Sequence, residues 1–415
     1  MSAVAGELGN AYVRLGQAAQ ALPYYEEQVR LARRGGSAIA ISKALGELAL
    51  GHRQLGEHDT AVGFALESLE LANQLGDPWA LGLAYWRLGG CYHERGEPEA
   101  AIERLHKSLR LAREVGDRAG ELSLMCDCAG VHLASRQFTQ AIEYLFPALD
   151  LAIDLGALPA QGYLLNHLAD AWRIQGGYKE AAQCYRRALQ VGTEAGFWTV
   201  VAYALSYLGC TLALQGRPDE AEDWQVRARA MFMNLQDTMR LAACLHFHAD
   251  LCLEQRRLDE ARSLNEWALR CMEECGVNLM LLDNQVQTLM LRQASHEINP
   301  CQAVLELEAL LDLWPEPRHQ ALLHYTAWSL DHSQEDHRRL AATLYQGFNE
   351  RVPNAEDRER YLLLTGEHLP CPLTLPDLPA IVAEHDVDLG AVAARIDEHL
   401  ATAQLVSDSK VAVTA

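Results

Sequence analysis

The stretch Tyr163–Gly196 reads YLLNHLADAWRIQGGYKEAAQCYRRALQVGTEAG. Leu168, Ala169 and Trp172 mark one helical face, and Ala181, Tyr185 and Ala188 mark a second. The pair Gly176-Gly177 supplies a turn between them. Small residues at Ala169 and Ala181 let two helices approach closely, while the large ones fill the space beside them. The stretch is a helical hairpin, and the chain repeats it.

Stepping from Ala181 by forty residues gives Ala21, Ala61, Ala101, Ala141, Ala181, Ala221 and Ala261, all alanine. Twelve residues earlier stand Gly9, Ala49, Gly89, Ala129, Ala169, Gly209 and Ala249, all small. The turn inside each hairpin falls at Gly16, Gly56, Gly96, Arg136, Gly176, Gly216 and Arg256. The turn to the next hairpin falls at Gly36, Gly76, Gly116, Gly156, Gly196, Gln236 and Gly276. Glycine at a helix end adopts the left-handed conformation that closes a C-terminus. Asp77-Pro78 is an N-cap followed by a first-turn proline, and Pro98 and Pro218 start second helices in the same manner. We therefore expect seven forty-residue repeats over 1–276. By this period the first helix starts before Met1, the expectation for a clipped helix or a chain cut from a longer protein.

Hydrophobic residues make up 49% of the chain, ample for a core shared between neighbouring repeats. The formal net charge of −21 argues against non-specific nucleic-acid binding and against an anionic membrane surface, since both need Lys and Arg. It favours solubility and a basic partner, or simply solvates the outer helix faces. The eleven cysteines mostly sit at helical core positions, as free thiols of a reducing cytosol do. No signal peptide and no apolar run long enough to span a membrane is evident, so a cytoplasmic location is expected.

After Gly276 the register weakens. Leu279 to Arg292, Pro300 to Leu313, Glu316 to Leu330 and Gln334 to Asn349 read as four helices, with a short one at Asn354 to Leu363. We expect 277–365 to hold degenerate repeat-like pairs and a cap, because a terminal repeat turns a polar face outward. Residues 366–415 hold a proline-rich run (Leu369–Pro379), a helix at Val387 to Ala403 and a disordered tail. The run from Pro370 to Pro379 is a candidate occupant of the repeat groove.

Enzyme signals are lacking. There is no phosphate-binding loop of the Walker type, no GxSxG and no HExxH, and the chain is expected to be no enzyme. Cys126 and Cys128 point about 200° apart on one helix. Cys271 and Cys275 share a face, and His246 and His248 diverge, all read as packing. His52 and His132 fall at core or half-core positions. No metal site and no cofactor are expected.

These series resemble the tetratricopeptide superfamily over 1–276. The forty-residue unit resembles its long-helix group, which includes Leu-Gly-Asn repeat proteins, kinesin light chains and bacterial peptide-sensing regulators. Leu8-Gly9-Asn10 matches the Leu-Gly-Asn signature. Leu88-Gly89-Gly90, Leu168-Ala169-Asp170 and Leu208-Gly209-Cys210 match it in part. Residues 343–379, TLYQGFNERVPNAEDRERYLLLTGEHLPCPLTLPDLP, are similar to the segment that ends such repeats in bacterial multidomain signalling proteins. The resemblance implies an all-α, right-handed superhelical solenoid of antiparallel helix pairs with a degenerate helical C-terminal cap.

In this superfamily the first helices line a concave groove. The groove-facing candidates are Asn10, Arg14, Lys43, Arg53, Trp86, His93, Tyr163, Asn166, Asp170, Arg173, Tyr203 and His246. Asn pairs with a peptide backbone, Arg holds a carboxylate, and Trp and Tyr offer flat contact area. The alternative for each is a solvated or inter-repeat contact. The two-carboxylate clamp of chaperone-binding members is not met, since only Asn10 and Lys43 suggest it. Arginine and lysine inside the groove of an acidic protein point to a peptide or protein segment with acidic or carboxylate groups. The resemblance implies a non-enzymatic interaction scaffold or sensor arm in bacterial signalling. The alternative is a homodimerisation module of a larger regulator.

Overall fold

A computed structural model describes residues 2–14, 17–275, 280–371, 375–379, 382 and 387–414; the side chains of Arg14 and of 404–414 lie outside the described set. The described residues form twenty α-helices and no strand. None of these helices is long and apolar enough to cross a membrane. The chain divides into two compact units, Met1–Gly156 and Ala157–Ala415.

The first unit is four helix pairs. They are α1 (Ser2–Arg14) with α2 (Ala18–Gly35), α3 (Ala38–Gln54) with α4 (His58–Leu75), α5 (Pro78–Glu94) with α6 (Pro98–Val115), and α7 (Arg118–Ala134) with α8 (Phe138–Asp154). The turns follow the glycine series: Gly36, Gly56, Gly76, Gly96 and Gly116 all have positive φ. Arg136 takes the same conformation at φ 56°, so the register survives the lost glycine. Asp77 accepts from the Ala80 amide at 2.8 Å and caps α5, as its Asp-Pro start predicts. The alanines of the marker series at 21, 61, 101 and 141 are fully buried. The helices pack closely around Tyr25. A Cβ on Gly9 would lie 2.6 Å from its ring, and one on Gly51 would lie 2.9 Å away.

The second unit continues with α9 (Leu158–Gln175), α10 (Tyr178–Ala195), α11 (Trp198–Leu214), α12 (Pro218–Asn234), α13 (Thr238–Glu254) and α14 (Leu258–Cys275). Gln236 and Arg256 close their helices at φ 54° and 62°, again in place of glycine. The helices marked after Gly276 follow: α15 (Leu281–Ala294), α16 (Pro300–Leu311), α17 (Pro317–Leu330), α18 (Glu335–Arg351) and α19 (Ala355–Thr365). Leu282, Val286, Leu289, Val304, Leu307 and Leu323 bury one core between α15, α16 and α17. Ala321, Ala341, Tyr345 and Leu364 bury the next between α17, α18 and α19.

The last helix, α20 (Leu389–Thr414), turns back onto α10 and α12. The Arg227 guanidinium donates to both Asp397 oxygens at 3.0 and 3.1 Å, and the His399 ring stacks on Trp198 at 3.8 Å.

Where α17 meets α18, the Nδ1 atoms of His324 and His337 are 2.8 Å apart, and His337 Nε2 is 3.2 Å from Glu308. One proton serves that bond and two cannot. Burial, then the His337 charge, hold the His324 pKa below its ordinary value, against a smaller opposing effect of Glu308. The unfolded chain therefore takes up a proton that the folded chain resists, once pH falls below about 6.5. Stability is complete above that pH and declines below it. Urea titrations should show a lower midpoint at about pH 5.5 than at about pH 7.5. His324→Leu should shrink that difference.

Candidate binding cleft

In the first unit the candidates are largely engaged. The Asn10 carbonyl accepts from the Tyr25 hydroxyl at 2.8 Å. Lys43 lies 3.8 Å from Glu47, a buried carboxylate that also accepts from Gln28 at 2.5 Å. The Arg53 head sits over the bare backbone of Gly90, where a Cβ would come within 2.1 Å of its Nη1. The Trp86 indole N–H donates to Asp127. The Asp127 side chain reaches solvent, yet the helices around it push its carboxyl up, and Trp86, Arg53, His93 and Arg87 pull it back part of the way. Arg53, Trp86 and His93 thus gather round Asp127, which sequence reasoning did not single out. The Arg14 side chain lies outside the described residues.

In the second unit α9 and α11 bring three candidates into one network. The Asp170 carboxylate accepts from Tyr185 at 2.5 Å and from Tyr203 at 2.6 Å. Arg173 Nη2 lies 3.8 Å from the same carboxylate, and its guanidinium lies 5.0 Å from the Tyr207 ring centroid. Burial, then the Asp170 charge, hold the Tyr185 and Tyr203 hydroxyls protonated well above their ordinary range. Tyr163 and Asn166 stand outside this network. Tyr163 is exposed and edge-on to Phe197. Asn166 is 3% exposed and donates to the Val200 carbonyl at 3.2 Å, a strut between repeats. His246 belongs to a separate group. Its Nε2 is 3.3 Å from Asp250, its Nδ1 is 3.3 Å from Asn284, and Gln287 donates to Asp250 at 2.5 Å.

Beside the Asp170 network opens a cleft of about 340 Å³. Arg173 and Tyr178 form its base. Leu214, Phe247 and Leu251 give it an apolar floor. Asp250 and Glu254 of α13 stand on one side, and Glu356 and Glu359 of α19 on the other. Burial, then Asp250, raise the Glu254 carboxyl above its ordinary value. Burial and then Glu359 push the Tyr178 hydroxyl up to about 12. The wall made by α19 is tied down at its N-terminal end. Gln175 donates to the Pro353 carbonyl at 2.7 Å, Arg358 to the Gln175 carbonyl at 2.8 Å, and Tyr178 to Glu359 at 3.2 Å.

Asp250 and Glu254 share the groove face of α13 with His246, a spacing visible in the sequence. Glu356 and Glu359 come from a return of the chain that no local pattern announces. The proline-rich run does not enter this cleft in its described part. Leu375 to Leu378 border another hollow, against Trp172, Gly177, Lys179 and Gln183 at the α9–α10 turn. The wall of this cleft is α19, packed against α9.

A stack of antiparallel helix pairs presenting first-helix side chains to a cleft is the architecture of a protein-interaction scaffold. The tetratricopeptide repeat family model matches residues 1–74, 81–153 and 161–234, more than half of the chain. The chain belongs to that family. No curated relative matches it by sequence. Among solved structures, the apo form of RapI is 13% identical, with 88% of this chain and 96% of that one covered at a TM-score of 0.58. The apo quorum sensor NprR from B. thuringiensis is 16% identical, with 87% and 97% covered at 0.57. A Rap protein complexed with Competence and Sporulation Factor is 14% identical, with 88% and 97% covered at 0.54. At these identities the likeness is one of fold.

Proposed function

We propose that the chain is a non-enzymatic sensor arm that binds a cationic peptide segment in the cleft between α9, α11, α13 and α19. The observation that carries this reading is the placing of four carboxylates, Asp250, Glu254, Glu356 and Glu359, around an apolar floor. A lysine or arginine side chain lays its aliphatic stem on Phe247 and Leu251 and its charge among the carboxylates. The net charge of −21 draws such a segment in. This reading departs from the acidic ligand expected from Arg14, Lys43, Arg53 and Arg173, two of which have a carboxylate nearby: Lys43 faces Glu47 and Arg173 lies beside Asp170. The fold relatives lend support: NprR is described in complex with its cognate peptide NprX. Setting the chain in bacterial signalling rests on the same likeness. An occupant of the cleft competes with Tyr178 for Glu359 and so reports its presence through α19.

Selection from a random displayed peptide library tests the proposal. Lysine- and arginine-bearing sequences should be enriched on the wild-type chain. Their affinity should fall about tenfold in a Glu254→Gln, Glu359→Gln variant and should weaken with added salt. Enrichment of acidic or neutral peptides, or equal affinity for both proteins, would refute it.

A further inference from the structure

We propose that His248, Cys252 and Glu260 form a binding site for a thiophilic divalent cation of the zinc type, on α13 and α14 and apart from the cleft. His248 and Cys252 are one turn apart on the same side of α13, and Glu260 lies in the first turn of α14. One nitrogen, one sulfur and one carboxylate oxygen from the three lie within 4.8 Å of one another. His248 is 1% exposed and Cys252 fully buried, while Glu260 opens to solvent and gives an ion its way in.

Two further observations point to a ligand. Both ring nitrogens of His248 are buried without a hydrogen-bond partner. The forty-residue register places His248 at a position filled by Leu8, Leu48, Leu88, Cys128, Leu168 and Leu208 in the other repeats, all buried except Leu8 in the first. Packing alone is served by leucine there. A buried imidazole with neither nitrogen satisfied is unfavourable, and a metal bond satisfies one of them.

The donor set suits the ion. Imidazole, thiolate and carboxylate are the ligands zinc takes, and bonds of about 2.0–2.3 Å place them about 3.5 Å apart, within reach of small side-chain rotations. Thiolate and carboxylate together neutralise its charge. Arg257 Nη1 now donates to Glu222 at 2.7 Å and to Glu260 at 3.0 Å. The ion displaces this guanidinium from Glu260, and Arg257 stays with Glu222. As the metal–sulfur bond forms, the Cys252 S–H bond breaks and its proton passes to the buffer.

The 415-residue chain, stripped with a chelator, is titrated with Co²⁺ and then with Zn²⁺. The expected result is one Co²⁺ per chain with a sulfur-to-cobalt charge-transfer absorption in the near ultraviolet, abolished by Zn²⁺. Cys252→Ser should remove the absorption. Glu260→Gln, a change at an exposed side chain, should weaken binding by about tenfold or more. A variant with serine at the exposed thiols Cys275, Cys301 and Cys371 should keep the absorption. Should Cys252→Ser fail to fold, the other two variants decide the matter. No absorption in the wild type, its survival in Cys252→Ser, its loss in the exposed-thiol variant, or unchanged affinity in Glu260→Gln overturns the proposal.

Discussion

Replacing Asp170 with alanine is expected to destabilise the second unit by about 3–5 kcal/mol, the range for breaking a buried, charge-assisted network from one side. The carboxylate accepts from two tyrosine hydroxyls, at 2.5 and 2.6 Å, and stands 3.8 Å from Arg173. Tyr185 is fully buried, so water cannot replace the lost acceptor. An unpaired buried hydroxyl costs about 1–3 kcal/mol. Arg173 then keeps a charge whose nearest carboxylate is gone. Tyr203→Phe removes a donor together with its need for a partner, and should cost only about 1 kcal/mol. The double variant should lose less than the sum of the single losses, because the two residues share one bond. Urea titrations of the four proteins measure this. A loss below about 1 kcal/mol for Asp170→Ala would mean that the carboxylate is solvated and free for a ligand.

Tyr25→Ala should cost about 3–5 kcal/mol, as truncations of large buried aromatic side chains do. The ring fills the gap left by Gly9 and Gly51, and its hydroxyl donates to Asn10. Neither glycine carries a side chain that could collapse into the vacated space. Repeats contact only their neighbours, so the damage should stay local. Hydrogen exchange should quicken in α1, α2 and α3 and remain slow in α5 to α8. Uniform quickening across α1 to α8 would show that the first unit unfolds as one body.

The repeat period was legible because each helix pair meets the same steric demand. Alanine recurs at 21, 61, 101 and 141 because every second helix approaches its partner there, and these residues are fully buried. Arg136, Gln236 and Arg256 break the glycine rule in sequence but not in backbone, since all three adopt positive φ. The link between Asp170 and Arg173 could be read from their spacing on one helix face, and Tyr203 from its place one repeat on. Tyr185 reads in sequence as packing alone, because a consensus aromatic does not disclose its hydroxyl's partner. Asn166 reads in sequence as a groove contact, yet its amide reaches the neighbouring backbone. His248, which diverges from His246 on its helix, reads in sequence as packing. Comparison down the register with Leu48, Leu88, Leu168 and Leu208 was the signal that could have found it. Glu356 and Glu359 had no such signal, since their neighbours across the cleft lie far away along the chain.

That distance bears on how the protein is made. The bond from Gln175 to Pro353 joins residues 178 apart, and the one from Arg358 to Gln175 joins residues 183 apart. At translation speeds of about 5–20 residues per second, α9 waits roughly 10–40 s on the ribosome before α19 emerges to meet it. During that wait Phe247 and Leu251, once synthesised, face water without their wall, and the apolar floor is open to any passing chain. The cleft is therefore among the last parts of the second unit to be completed, and a nascent chain holds only half of it.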